Sequence, residues 1–136
     1  MTNSRNKGAA FEREIANSLN EELNLTIPLK RILEQTREKF LPDLILGKWY
    51  LECKRYGQGN EPIEKWWSQV LDSAKDKGVP ALIYKFNNRP IKVRVPLHTI
   101  NDNLTKDNHL TCDLAWKDFI FILKILYPED IAKHQK

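Results

Sequence analysis

The sequence has few of the sulfur ligands that build disulfide scaffolds and zinc sites. Cys53 and Cys112 are its only cysteines, and neither belongs to a CxxC motif or a Cys/His cluster. We therefore expect neither a disulfide framework nor a zinc site. The histidines His98, His109 and His134 are scattered through polar stretches. We predict that all of them are surface residues without a chemical role.

The sequence also lacks a long apolar run. No segment approaches the roughly 18 apolar residues that span a bilayer, and the first residues lack the apolar core of a signal peptide. We therefore expect a soluble, cytoplasmic protein with no membrane partner. With 136 residues, 41% of them hydrophobic, and no internal repeat, residues 1–136 are expected to form a single domain with one core. The net charge of +4 is compatible with nucleic-acid binding but does not identify it.

Two short apolar runs within residues 42–54 predict a β-hairpin. They are joined by Gly47-Lys48, a two-residue loop of the kind that favours a type II′ turn. This turn predicts the cross-strand pairs Leu46 with Trp49, Ile45 with Tyr50, Leu44 with Leu51 and Asp43 with Glu52. Because side chains alternate along a strand, Lys54 shares a face with Glu52 and Asp43. The hairpin therefore gathers two carboxylates and a lysine.

The acidic pair predicts a compensating positive charge. Like charges opposite each other on a sheet destabilise it by a few tenths to about 1 kcal/mol. Either Lys54 alone or a divalent cation can offset the repulsion between Asp43 and Glu52. Oxygen ligands of this kind suit Mg²⁺ or Mn²⁺. A lysine beside such an ion can act on an attacking water or on a phosphate, so the residues favour hydrolysis of a phosphodiester.

Residues 4 to about 24 predict an amphipathic helix, because Phe11, Ile15, Leu19 and Leu23 recur every four residues. In projection, Glu12 falls on the same apolar stripe. A carboxylate there needs a partner, because leaving it unpaired costs several kcal/mol. Two interpretations stay open: Glu12 pairs with a lysine or reaches solvent at the edge of the stripe, or it joins the acidic pair.

The remaining elements predict an α/β fold with a parallel crossover. The predicted segments are a strand at 27–33, a helix at 62–77, a strand at 81–86, a strand at 91–96, a strand at 110–115, a helix at 116–126 and a short helix from about 127. The helix at 116–126 is apolar on more than one stripe, which suggests contact with another subunit. Lys85, Arg89, Lys92 and Arg94 either follow a phosphate backbone or belong to a solvated edge strand.

Two motifs together carry a family resemblance over roughly residues 5–95. Pro42-Asp43, then Glu52-Cys53-Lys54, then a helix and a strand resemble the PD-(D/E)xK nuclease core. The stretch Lys7-Gly8-Ala9-Ala10-Phe11-Glu12-Arg13-Glu14 is similar to the start of archaeal and phage Holliday-junction resolvases in that superfamily. The resemblance implies a restriction-endonuclease-like α/β core, in which α-helices flank a central mixed β-sheet. It also implies an enzyme that acts on DNA in a bacterial or phage-infected cell.

The resemblance implies a role for each matching residue. Asp43 and Glu52 would bind Mg²⁺, for which Mn²⁺ would substitute, with help from the backbone carbonyl of Cys53. Lys54 would act on the water or the phosphate, and Glu12 would reach the metal directly or through water. The basic residues expected at the DNA are Arg5, Lys7, Arg13, Arg37, Lys39 and Arg55.

The resemblance also implies a partner and leaves alternatives. Resolvases of this type are homodimers whose two active sites nick opposed strands of a four-way junction. They often carry a serine in a Ser/Gly-rich segment before Pro-Asp, whereas this chain has Gln35-Thr36-Arg37-Glu38-Lys39. A general phage or repair endonuclease of the same fold therefore remains open. So do a catalytically silent DNA-binding module and a purely structural domain.

Overall fold

The computed structural model describes residues 4–32, 42–57 and 64–136, with the side chains of the first helix described from Gly8 onwards. The elements in these ranges are α1 (Ser4–Glu22), β1 (Leu44–Leu46), β2 (Trp49–Tyr56), α2 (Glu64–Ala74), β3 (Val79–Phe86), β4 (Lys92–Pro96), β5 (Thr111–Ala115), α3 (Trp116–Leu126) and α4 (Pro128–Ala132). The predicted segments at 110–115 and 116–126 agree closely with β5 and α3. Among the described residues, no helix is long and apolar enough to cross a bilayer.

The strands form one five-stranded mixed sheet in the order β1-β2-β3-β4-β5. Strands β2 and β3 are parallel, and α2 connects them, as the sequence predicts. The other neighbouring strands are antiparallel. The prediction of an α/β core with a central mixed sheet flanked by helices is confirmed. Strand β4 lies between β3 and β5, so the interpretation of its basic residues as a solvated edge strand is wrong.

Two apolar layers cover the two faces of the sheet. Helices α1 and α3 pack against one face, where Leu51 and Cys53 of β2 are buried. Helix α2 packs against the other face, above Leu82 of β3. Because strand side chains alternate, Glu52 and Lys54 of β2 point to the α2 side. Glu52 and Lys54 are thus kept off the larger core, whereas Arg55 shares the face of Leu51 and Cys53.

The hairpin has the predicted register. Leu46 pairs with Trp49, Ile45 with Tyr50 and Leu44 with Leu51. Gly47 has φ +56°, whereas Lys48 is not among the described residues with positive φ, which fits the predicted type II′ turn. Asp43 precedes β1, and its N–H donates to the carbonyl of Leu51 at 3.0 Å. The predicted pair of Asp43 with Glu52 therefore lies beyond the regular ladder.

The end of the chain holds the hairpin turn. The N–H of Lys48 donates to Oδ1 of buried Asp130 at 2.7 Å, and the N–H of Gly47 donates to Nε2 of His134 at 3.0 Å. The prediction that His134 lies at the surface is thus wrong, because its ring is half-buried and accepts a backbone hydrogen bond, while its lack of a chemical role stays a prediction. His98 is also half-buried, whereas His109 is exposed as predicted.

The predicted strand at 27–33 is wrong over the residues that the structure describes. Residues 27–32 form no strand. The N–H of Leu29 donates to Oδ1 of Asn20 at 2.7 Å, and that of Ile27 donates to the carbonyl of His134 at 2.8 Å. Pro28 has no N–H to donate. These bonds tie the segment to α1 and to the chain end instead of to a strand. Residue 33 and the predicted start of α2 at Pro62 lie outside the described residues.

Gly47→Ala is expected to destabilise the protein by about 2 kcal/mol or more, because a Cβ there would overlap Oδ1 of Asp130 and lie 2.8 Å from its Cα, in a backbone with φ +56°. Gly8→Ala is the matched control. It has no atom within 4 Å of the added Cβ and lies in α1, so it should stabilise by roughly 0.5–1 kcal/mol. Urea unfolding measures both, and a Gly47→Ala variant as stable as the wild type would contradict the role of Asp130 in holding the hairpin turn.

Candidate active site

Asp43 is fixed by hydrogen bonds on both its main chain and its side chain. Its Oδ2 accepts the N–H of Cys53 at 2.8 Å. Its own N–H donates to the carbonyl of Leu51, and its carbonyl accepts the N–H of Ile32 at 2.9 Å. The carboxylate is therefore held against the middle of β2 before any ligand arrives.

Glu52 is the least satisfied side chain of the site. Its Oε1 is buried and has no hydrogen-bond partner among the described residues. Burial, followed by the charge of Asp43, raises the pKa of Glu52 to about 8. Burial likewise raises the pKa of Asp43 to about 6, against the lowering effect of the Cys53 N–H. Each carboxylate is thus costly to ionise beside the other, and a nearby positive charge would favour the ionised form of both.

Lys54 acts on both carboxylates. Its charge lowers the pKa of Asp43 and of Glu52, as expected for a lysine on their face of the hairpin. None of the ion pairs in the described part of the chain joins Lys54 to either carboxylate. Because both pKa values remain raised, Lys54 offsets only part of the desolvation and repulsion at the pair.

Glu12 has a cationic partner that sequence reasoning missed. Nε of Arg31 lies 3.0 Å from Oε1 of Glu12, and their side chains are 25% and 18% exposed. The partner is an arginine, not the lysine that one interpretation considered. Glu12 still raises the pKa of Asp43 and Glu52, while Arg31 lowers that of Asp43. The structure thus brings Glu12 into the electrostatic environment of the pair and adds Arg31 to it.

Arg31 had one usable signal in the sequence. A carboxylate on a buried helical stripe requires a cation, although this requirement does not distinguish Arg31 from Lys30, Arg37 or Lys39. The predicted strand at 27–33 gave this segment a purely structural role, so Arg31 was not considered as the partner of Glu12.

The donor set fits a divalent cation that keeps most of its water. Among the described residues, no three His, Cys, Asp or Glu side chains form a group that could hold a metal ion. Two carboxylates do lie together, and one has a buried oxygen without a partner. Mg²⁺ is commonly bound by one or two carboxylates, several waters and a substrate phosphate. Asp43 and Glu52 therefore suit a partly hydrated Mg²⁺ better than an ion whose ligands all come from the protein.

Cys53 offers its carbonyl rather than its sulfur. The side chain is buried in the core on the α1 side, and burial, followed by the charge of Asp43, raises the pKa of the thiol well above its ordinary value. The thiol is therefore protonated and faces away from Glu52. In a strand, the N–H and C=O of one residue point to the same side. Because the N–H of Cys53 donates to Asp43, its carbonyl also lies on the Asp43 side of β2.

The structure describes the side chains of two residues that were predicted to contact DNA. Arg13 is exposed on α1, and Arg55 is half-buried on β2. Nη1 of Arg55 is buried and has no hydrogen-bond partner among the described residues. Arg37 and Lys39 lie outside the described residues, as do the side chains of Arg5 and Lys7. Arg13 and Arg55 are thus the members of this set whose surroundings are known.

The second basic group, on β3 and β4, is partly neutralised. Nε and Nη2 of Arg94 donate to Oδ1 and Oδ2 of Asp113 at 2.9 and 3.3 Å, and its Nη1 reaches Glu64 at 3.4 Å. The hydrogen bond with Asp113 raises the pKa of Arg94. Arg89 and Lys92 are exposed. Arg94 therefore braces β4 against β5, and the exposed members of the group remain available to a phosphate.

Comparison with known families agrees with this arrangement. A family model described as "Phage putative PDDEXK endonuclease" matches residues 3–127. The chain belongs to this family. The match runs from α1 to α3 and so includes Glu12, Asp43, Glu52 and Lys54, and the predicted membership of the PD-(D/E)xK nuclease superfamily is confirmed. Neither a curated protein nor a solved structure matched the chain. The resemblance of this PDDEXK protein to resolvases stays a prediction.

The raised carboxyl pKa values predict a stability that declines with pH. The folded protein retains protons that the unfolded chain releases near the ordinary pKa values of 3.8 and 4.5. The resulting stabilisation is complete below those values and is lost as the pH rises through about 6 and about 8. Glu52→Gln should therefore lose less stability than the wild type between about pH 5 and about pH 8.5.

Urea unfolding across that pH range measures the effect in the absence of metal. Glu14→Gln is the control, because Glu14 is exposed on α1 and should keep the wild-type slope. Equal slopes for all three proteins would contradict a buried, mutually repelling carboxylate pair.

Proposed function

We propose that this protein is a metal-dependent DNA endonuclease that hydrolyses phosphodiester bonds, with Asp43 and Glu52 as the ligands of Mg²⁺. The observation that carries the proposal is the buried Oε1 of Glu52, which has no hydrogen-bond partner among the described residues and lies beside a second carboxylate. Membership of a phage PDDEXK endonuclease family supports the same chemistry. Mn²⁺ also prefers oxygen ligands and is expected to substitute.

The chain supplies a preorganised ligand set for this reaction. The Cys53 N–H donates to Oδ2 of Asp43. This hydrogen bond keeps the Asp43 carboxylate in its orientation when substrate arrives. Mg²⁺, when bound, supplies charge stabilisation and lowers the pKa of a coordinated water. Lys54 lies on the same face and orients the attacking water or neutralises charge that develops on the phosphate. The carbonyl of Cys53 is the proposed third protein ligand.

Glu12 and Arg31 have supporting roles in this proposal. Because Arg31 already holds Glu12 at 3.0 Å, Glu12 is assigned to a contact with the metal through water. The positive charge of Arg31 favours the ionised, metal-binding form of Asp43, since it lowers the pKa of that carboxyl. Arg13 and Arg55, with Arg5, Lys7, Arg37 and Lys39, are the proposed contacts to DNA phosphates.

A four-way DNA junction is the proposed substrate. The support is the sequence of residues 7–14, which resembles the start of Holliday-junction resolvases, together with the PD-(D/E)xK core. A general phage or repair endonuclease that recognises DNA structure is the second candidate. It is favoured by Gln35-Thr36-Arg37-Glu38-Lys39, which departs from the Ser/Gly-rich segment of resolvases. A catalytically silent DNA-binding module would show no dependence on a divalent metal.

We further propose that two copies associate through α3. Phe119, Ile120 and Leu123 of this helix are buried in the core, whereas Phe121 and Ile125 are 61% and 59% exposed on its other side. An exposed apolar stripe on an otherwise buried helix is typical of an interface. A homodimer would present two active sites, as cleavage of two opposed strands requires.

Asp43→Ala and Lys54→Ala are expected to abolish cleavage of a synthetic four-way junction, because each removes a group that stabilises the reaction at the phosphate, while binding to the junction persists. Lys77→Ala is the control, because Lys77 is exposed just after α2 and should leave cutting unchanged. Gel analysis of labelled strands, with duplex, flap and single-stranded substrates in parallel, separates a resolvase from a general nuclease. Full cutting by both site variants would refute the assignment of these residues.

Phe121→Glu is expected to convert a dimer into a monomer, because it places a charge in the centre of the proposed interface. Leu110→Glu is the control, since Leu110 is also exposed but lies before β5 and outside α3. Sedimentation velocity at micromolar concentration measures the change. A monomeric wild-type protein, or loss of the dimer in the control as well, would exclude this interface.

A further inference from the structure

Tyr56 is an exposed aromatic residue on the strand that carries the candidate active site. It follows Lys54 by two positions, so it lies on the same face of β2 as Glu52 and Lys54. The rise of a strand places its Cα about 7 Å beyond that of Lys54. The residue is 52% exposed at the end of the strand. About half of this aromatic residue thus remains accessible to solvent, two positions along the strand from the lysine proposed to act on the water or the phosphate.

The ring of Tyr56 rests on a row of packed aromatic side chains. Its centroid lies 5.0 Å from that of Trp66 with an angle of 39° between the planes. Trp66 is only 5% exposed and stacks on Phe86 at 5.8 Å and 24°. Phe86 is also the cross-strand partner of Tyr56. Strand β3 and helix α2 therefore support one side of Tyr56, while about half of the residue stays accessible.

An aromatic ring held in this way suits a nucleobase. Every base has a π-face, and proteins bind unpaired bases by stacking them on aromatic side chains. A continuous duplex offers few free base faces, because its bases are already stacked on one another. Support from Trp66 reduces the conformational entropy that Tyr56 would lose on binding. The ligand selected by this chemistry is an unpaired or splayed base.

We propose that Tyr56 is a stacking platform for an unpaired base next to the phosphate to be cut. This inference rests on the proposed function for its ligand, DNA, and it deepens that function by naming the preferred substrate class. DNA with an unstacked nucleotide beside the cut, as at a branch point, flap or single strand, binds better than continuous duplex. Tyr56 is the residue that makes this distinction.

A purely structural role for Tyr56 would be to cover Trp66. Both roles predict that Tyr56→Ala lowers stability somewhat and that Tyr56→Phe does not. The two roles differ in whether the contribution of Tyr56 to DNA affinity depends on the presence of bases in the DNA. A structural cover affects all ligands alike, whereas a stacking platform affects only ligands that carry bases.

The test is a binding comparison in EDTA, so that no strand is cut. Two single strands of equal length are used, one with bases and one composed of abasic residues, with the wild type, Tyr56→Phe, Tyr56→Ala and Leu110→Ala. Leu110 is exposed and adjoins β5 beside Pro96, at the end of the sheet away from Tyr56. Tyr56→Ala is expected to weaken binding of the base-bearing strand about tenfold and to leave the abasic strand unchanged. Tyr56→Phe and Leu110→Ala should match the wild type.

The outcomes separate this inference from the proposed nuclease activity. Equal weakening for both strands, or no weakening by Tyr56→Ala, overturns the platform even if the wild type cuts DNA with Mg²⁺. A base-dependent loss supports the platform even if no substrate is cut, in which case the nuclease proposal fails separately. Absence of measurable affinity for either strand overturns the platform, and urea unfolding of Tyr56→Ala checks that the variant is folded.

Discussion

The alternation of side chains along β2 is the constraint on which the rest of the structure depends. Leu51 and Cys53 complete the larger core, whereas Glu52 and Lys54 emerge between them on the opposite face. A slip of one residue would exchange the two sets and bury a carboxylate among leucines. The turn at Gly47-Lys48 and the parallel ladder to β3 both fix the register, so the fold that forms the core also aims the charged groups.

The fold holds an electrostatically unfavourable pair by means of favourable contacts elsewhere. Burial keeps the pKa of Glu52 and Asp43 high, and Lys54 and Arg31 compensate only in part. The hydrogen bond from Cys53 to Asp43 resists separation of the strands at this point. Functional sites commonly retain such local destabilisation because the ligand relieves it. The negative charge of the carboxylates is therefore offset jointly by their basic neighbours and by the proposed cation.

Local patterns were enough to predict the hairpin of the candidate site and the helix α3. The Gly-X turn gave the register of the hairpin, and the density of apolar residues in 116–126 gave α3. Contacts between residues far apart in the sequence were not accessible in this way. The Glu12–Arg31 ion pair and the bonds from the turn to Asp130 and His134 depend on the tertiary fold. The strand expected at 27–33 failed for the same reason, because side chains and the chain end take its backbone hydrogen bonds.

The two hydrogen bonds that hold the hairpin turn have a consequence for the order of events during synthesis. The turn itself consists of neighbouring residues, yet its two N–H donors find their acceptors only on Asp130 and His134. A ribosome releases these residues last among the elements described above. The nascent chain can therefore form the strands that carry the carboxylates well before it can secure them. The hydrogen bonds that hold the hairpin turn can therefore form only after Asp130 of α4 and His134 have been translated.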